Sequence, residues 1–268
     1  MKVLKETDYK CITIDWLFQK ELLGEDAVLI NELPVDGFNR RADLVVANGK
    51  LHAFEIKSDA DSLVRLQGQI DTYLRFFDKV TLVCSKKFTA KAIEILPSEV
   101  EILELTKTKN KYSLICKRRG KTNLIKSTSE YLSFVDKRSL QQSLKYEGIN
   151  ISPNDSNYVL YQKARMIAKN KWRNITLKYL KSKYKETFDN FLEQRKTYTN
   201  NSDLIYLSPR SLNSDESKFD LHEELAKGWE DWEPSLERES EAVDISARLA
   251  RHGFVTNTPV MLIPRAKS

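Results

Sequence analysis

Asp43, Glu55 and Lys57 are the residues of this chain whose types and spacing suit phosphate chemistry. Residues two apart on a strand share a face, so in Phe54-Glu55-Ile56-Lys57 the carboxylate and the ammonium point one way while Phe54 and Ile56 point into the opposite layer. Asp43 opens a neighbouring apolar run, residues 42–47, and Asn48-Gly49 separates it from a second run, residues 51–56. Asn-Gly between two such runs is the strongest short-range hairpin signal, and the hairpin brings Asp43 near Glu55. Two carboxylates so placed can share a hard divalent cation: Mg2+, with Mn2+ as a substitute, binds through one or two carboxylates, water and substrate phosphate. Lys57 is then placed to position a water nucleophile or to stabilise charge developing at phosphorus.

The elements that must hold these groups follow from periodicity. Residues 13–23 carry Ile14, Leu17, Phe18, Glu21 and Leu22 at helical spacing with Gly24 as a stop, and residues 27–33 read as a strand ended by a Pro-Val-Asp-Gly turn. After the hairpin, Leu63, Leu66, Ile70, Leu74 and Phe77 recur every three or four residues, and Ser58-x-x-Asp61 reads as a capping box, predicting a helix of nearly five turns. Residues 79–85 form a continuous apolar run of the kind buried on both faces of a parallel sheet. A short helix near 87–96, a break at Pro97 and strands at 100–105 and 112–117 complete an α/β core.

With these elements in order, Asp43 and Glu55-x-Lys57 resemble the motif of the PD-(D/E)XK nuclease superfamily, Asp43 matching its Asp and Glu55 and Lys57 its (D/E)xK. Ala42 stands where the motif has proline, a departure common in that superfamily. Gln69-Ile-Asp-Thr-Tyr73 is similar to the QxxxY signature of the RecB-like branch, and residues i and i+4 share a helical face. The segments NEL, RADLVV, LHAFEIKSDADSL and FDKVTLV further resemble small uncharacterised bacterial proteins of this superfamily, some of them MmcB-like and linked to DNA repair. The likeness spans roughly residues 10–105. It implies a restriction-endonuclease-like αβββαβ core and a Mg2+-dependent deoxyribonuclease in DNA repair, phage defence or mobile-element biology. Asp43, Glu55 and Lys57 would be catalytic, with Gln69 and Tyr73 steadying Lys57 or the strand. The superfamily takes one more acid from its first helix or strand. Glu32 is the choice for catalysis and metal binding beside Asp43 and Glu55, with Glu21 as runner-up. A second reading keeps the fold as a DNA- or protein-binding module whose cutting is absent or partner-dependent.

Charge divides the 268 residues unevenly. Residues 126–200 hold 15 Lys/Arg against 7 Asp/Glu, while residues 201–268 hold 8 against 13. The basic stretch interleaves Lys171, Arg173 and other cations with Tyr158, Tyr161, Trp172, Tyr179 and Tyr184, the footprint of a polyanion partner, or else a solvated helix face over an aromatic core. Lys171, Arg173 and Arg41 are candidate phosphate contacts, although Arg41 serves equally well in a salt bridge to a nearby carboxylate. His52 reads as a partly exposed strand residue. Cys11, Cys84 and Cys116 form no CxxC pair, which removes a disulfide framework or cysteine zinc site as the organising feature. No apolar run reaches the roughly 18 to 20 residues of a membrane helix and the N-terminus lacks an apolar signal core, so a cytoplasmic protein with no membrane partner is expected. Three regions are expected: a core over 1–122, a basic helical region over 123–198, and a linker with an acidic segment over 199–268. That last segment carries Trp229 and Trp232 and leaves room for a homodimer or protein partner.

Overall fold

The apolar runs flanking Asn48-Gly49 pair as the turn signal requires. β2 (Arg40–Ala47) and β3 (Leu51–Lys57) run antiparallel with Leu44 opposite Phe54 and Ala47 opposite Leu51, and Gly49 supplies a left-handed φ of 92° in the turn. β1 (Val28–Val35) pairs antiparallel with β2. The structure of the chain, a computed structural model, describes residues 3–108, 111–125, 127–208, 243–244 and 261–262.

A helix, α1 (Glu6–Gln19), precedes β1 and begins about two turns before the periodicity alone suggests. After β3 come α2 (Leu66–Phe76), β4 (Lys79–Ser85), α3 (Lys86–Ile95), β5 (Glu101–Thr108) and β6 (Lys111–Arg118). The chain is thus mixed α/β, with a six-stranded sheet ordered β1-β2-β3-β4-β5-β6. β4 lies between parallel neighbours, β3 and β5, and six of its seven residues are buried, which explains its unbroken apolar run. The order helix, three strands, helix, strand is the one expected.

Four further helices follow: α4 (Thr128–Leu132), α5 (Lys137–Tyr146), α6 (Asn157–Ala164) and α7 (Lys169–Gln194), then a 3₁₀ helix, Asn201–Leu207. α7 packs on β1 and β2, α1 on β3 and β6, α2 on β2 and β4, and α3 on β4 and β5. Buried side chains form one cluster from Tyr9 to Leu207, so the basic helices share their core with the sheet. Leu204 and Leu207 bury the start of the predicted linker. Its remainder, and the acidic segment with Trp229 and Trp232, lie outside the described residues. No helix among the described residues is long and apolar enough to cross a membrane.

Two sequence readings are corrected. Ser58 and Asp61 close a turn instead of opening a helix: Asp61 Oδ2 accepts from the Ser58 amide at 2.7 Å and its hydroxyl at 2.6 Å, and helical backbone starts only at Leu66. Asp61 accepts the Ser58 amide as a capping-box acid does, but the serine oxygen meets the Ala60 amide, at 3.3 Å, so the bonds close a turn. His52, read as partly exposed, is 2% exposed, because it faces the layer opposite Glu55. Its Nε2 lies 2.7 Å from Thr81 Oγ1, while Thr81 and Lys79 each donate to Glu101 at 2.9 Å. With its hydrogen given to Glu101, Thr81 accepts from His52, which fixes the tautomer.

Burial first, and then the charges of Lys79 and Lys50, hold the His52 imidazole well below its ordinary range. The unfolded chain takes up a proton near pH 6.5 that the folded chain refuses, so this stability is present above that value and lost as pH falls below it. His52→Gln should therefore lose less thermal stability than the wild type between pH 7.5 and pH 5.5. Thermal melts at both pH values check this; parallel losses would contradict it.

Candidate active site

Hairpin geometry places the chemistry where β2 begins and β3 ends. Asp43 stands beside Ile56 across the hairpin, and its Oδ2 accepts the Ile56 amide at 2.7 Å. On the same face as one another, Lys57 Nζ donates to Glu55 Oε1 at 2.5 Å. Glu55 is 1% exposed, and its second oxygen, Oε2, is buried with no hydrogen-bond partner. A carboxylate oxygen left in that state is costly unless a proton or a cation satisfies it.

The electrostatics agree. Burial pushes the Asp43 carboxyl well above the usual range and the charge of Glu55 adds to the shift, while Lys10 and the Ile56 amide oppose it. Burial likewise raises Glu55, against the pull of Lys57 and of the nearby Tyr73 hydroxyl, whose one hydrogen goes to the Arg41 carbonyl and leaves Oε2 unfilled. Two acids of which each disfavours the other's charge are poised to share a proton or a divalent cation.

α2 contributes the third wall. Gln69 and Tyr73 lie one helical turn apart, and the Tyr73 hydroxyl donates to the Arg41 carbonyl at 2.7 Å, tying the helix to the start of β2. Burial, then the fields of Glu55 and Asp43, drive the Tyr73 phenol far above its normal value, so it remains a donor at any working pH. Gln69 Oε1 is buried and unpartnered. The structure thus brings Tyr73 to the acids, with Gln69 one turn before it on α2.

Glu32 takes a different part. It stands across from Asp43 with a φ of 58°, and the ladder pairs skip it, running from Asn31–Leu44 to Leu33–Ala42. Both its oxygens are taken: Oε1 by Lys10 at 2.7 Å and Oε2 by Arg41 at 2.8 Å. Arg41 is therefore in the salt bridge that was one of its two readings. Glu21 lies beyond the end of α1 and is exposed. Among the described residues no three His, Cys, Asp or Glu side chains come together as a metal-holding group. The predicted three-acid set is corrected to the pair Asp43 and Glu55, because cations already satisfy Glu32.

Lys10 and Glu6, which the sequence reading missed, complete the surroundings. Lys10 is 3% exposed, bonds Glu32 and lies 3.0 Å from Glu6. Burial pulls its ammonium down, but the bond to Glu32 and the fields of Asp43, Glu6 and Glu32 outweigh it and the net shift is upward. The field of Glu6 reaches both Asp43 and Glu55, making it the acid of the first helix that faces the site. A signal was available: Lys10, Ile14 and Leu17 fall at i, i+4 and i+7, so a helix started at residue 6 puts Lys10 on the buried face.

Lys171 and Arg173, the cations of the basic helices named as phosphate contacts, are each paired within the fold. Arg173 is held by the fold, with Nη2 donating to the Gly49 carbonyl at 2.6 Å and lying 3.7 Å from buried Asp78. Gly49 is at the far end of β2, about 20 Å from Asp43 by strand rise. Lys171 pairs with Glu147.

The pair Asp43 and Glu55 fits Mg2+: both are hard oxygen donors, their charges are mutually unfavourable, and one buried oxygen is orphaned.

Comparison with known proteins gives the lineage. A family profile described as Bacteriophage P4 protein cII matches residues 1–208. Protein cII of Enterobacteria phage P4 is 37% identical over 195 residues, covering 72% of this chain and 73% of its own length. A solved structure of a protein of unknown function from Silicibacter pomeroyi aligns with 55% of this chain and 97% of its own at a TM-score of 0.33 and 18% identity.

Proposed function

We propose that this chain, which belongs to the bacteriophage P4 protein cII family, is a Mg2+-dependent nuclease that hydrolyses phosphodiester bonds of DNA on a restriction-endonuclease-like core. The observation that carries the reading is the buried, orphaned Oε2 of Glu55 beside Asp43, with Lys57 on the same strand face. The element order from α1 to β4 supports the fold assignment.

Hydrolysis adds water to phosphorus and breaks the bond to one ester oxygen, leaving a phosphate monoester and an alcohol. A divalent cation on Asp43 and Glu55 would supply charge neutralisation and Lewis-acid polarisation of the phosphate. The side chains do the rest. Lys57 holds the attacking water and screens the charge that builds at phosphorus. Tyr73 fixes the start of β2, and with it Asp43, through the Arg41 carbonyl. Gln69, with its acceptor oxygen unpartnered, orients water or a strand hydroxyl. The matched relative comes from a phage, which favours mobile-element biology as the setting.

The test is incubation of the full chain with plasmid and single-stranded DNA in Mg2+ or Mn2+, with EDTA as control. Cation-dependent cutting by a protein purified free of contaminating nucleases supports the reading. DNA binding without cutting under any of these conditions would replace it with that of a binding module.

A further inference from the structure

A groove of about 400 Å3 opens between α4, α6, α2 and the β1–β2 turn. α6 presents Tyr158, Tyr161 and Arg165 to it at i, i+3 and i+7, while Leu160 and Ala164 take the core face. Tyr158 is 64% exposed, a large aromatic side chain left in solvent at a groove wall. Across from it stand Arg75 of α2, Glu130 of α4 and Ser133 just past its end.

Two features indicate what the groove takes. Its cations are loosely held: Arg75 meets Glu130 at 3.4 Å and Arg165 meets Gln162 at 3.4 Å, long for hydrogen bonds and easily exchanged for a phosphate oxygen. Asp36 and Glu130 balance the two arginines, so stacking on the aromatic faces, open only to unpaired bases, has to carry the binding. Aromatic faces with flanking arginines are the recipe for single strands, whose unpaired bases stack while their phosphates meet the cations.

The groove lies along the β1–β2 turn, at the same end of β2 as the acid pair. Gly37 at its rim is six residues from Asp43, no more than about 20 Å by chain reach.

We propose that this groove holds a nucleotide of single-stranded DNA, its base on Tyr158 and its phosphate at Arg165 or Arg75. The proposal rests on the nuclease reading only for the claim that the bound strand leads to Asp43 and Glu55.

Fluorescence anisotropy of labelled oligo-dT with the full chain in EDTA tests it without cutting. Tyr158→Ala and Arg165→Ala should each weaken binding by at least about fivefold, with Tyr158→Phe within about twofold of wild type and duplex affinity changed by less than about twofold. Thermal midpoints like that of the wild type show that the variants fold. Unchanged oligo-dT affinity in Tyr158→Ala and Arg165→Ala, or equal losses on single strand and duplex, would overturn the proposal. A wild type that loses oligo-dT binding on these substitutions yet cuts nothing with Mg2+ or Mn2+ keeps the groove and removes the nuclease. One that cuts while both variants bind normally removes the groove alone.

Discussion

On the proposed nuclease reading, Lys57→Ala should lower the rate of cation-dependent DNA cutting by about a hundred- to ten-thousandfold, the range a positioned acid–base or charge-stabilising group supplies. Lys57 shares a strand face with Glu55 and is bonded to it, so its ammonium lies where a phosphate held at the acid pair would meet it. The substitution also strips a buried carboxylate of its partner. Breaking a buried ion pair in this way costs up to about 3–5 kcal/mol, so the rate is to be measured under single-turnover conditions at a temperature where the variant remains folded. A folded variant that cuts within about tenfold of wild type would remove Lys57 from the chemistry.

Asp43→Asn separates the two jobs of that position. Asparagine retains an acceptor for the Ile56 amide but carries no charge against Glu55. Cutting should fall at least about a hundredfold, while the metal-free fold becomes more stable at pH 8 by at least roughly 1 kcal/mol, the interaction of charges about 4 Å apart in bulk water and a floor for a buried pair. The sign follows from the raised carboxyl of Asp43. The folded state retains a proton that the unfolded chain gives up near pH 4, so the contribution is fully present below that value and declines as pH rises towards the folded value. The stability gap between variant and wild type should widen from pH 5 to pH 8 in thermal melts. A gap that is constant or reversed would show that Asp43 and Glu55 do not share a field.

Much of this arrangement was legible in the sequence, for local reasons. Asn48-Gly49 dictates a tight turn, and strand alternation then fixes that Glu55 and Lys57 share a face near Asp43. The continuous apolar run of β4 declares its place between parallel neighbours. What was not legible depends on partners distant along the chain. Nothing near Glu32 announces that Lys10, twenty-two residues earlier, occupies its Oε1. Arg173 sits in a run of cations that looks solvated, yet its carbonyl acceptor is Gly49, 124 residues away. The Ser58–Asp61 pair shows a different limit: the same residue types close a turn or cap a helix according to which backbone amide the serine oxygen meets. Lys10 went unseen because its helix was started too late.

The central claim, that Asp43 and Glu55 form a site for a hard cation, is tested most directly by titrating Mg2+ into the DNA-free protein by calorimetry at pH 8 and pH 6. Binding should release protons and weaken at the lower pH, because the carboxyls that must ionise have raised values. It should vanish in Glu55→Gln, whose fold is confirmed by melting. Mg2+ binding that is equal in wild type and Glu55→Gln, or absent from the wild type at millimolar cation, would contradict the account.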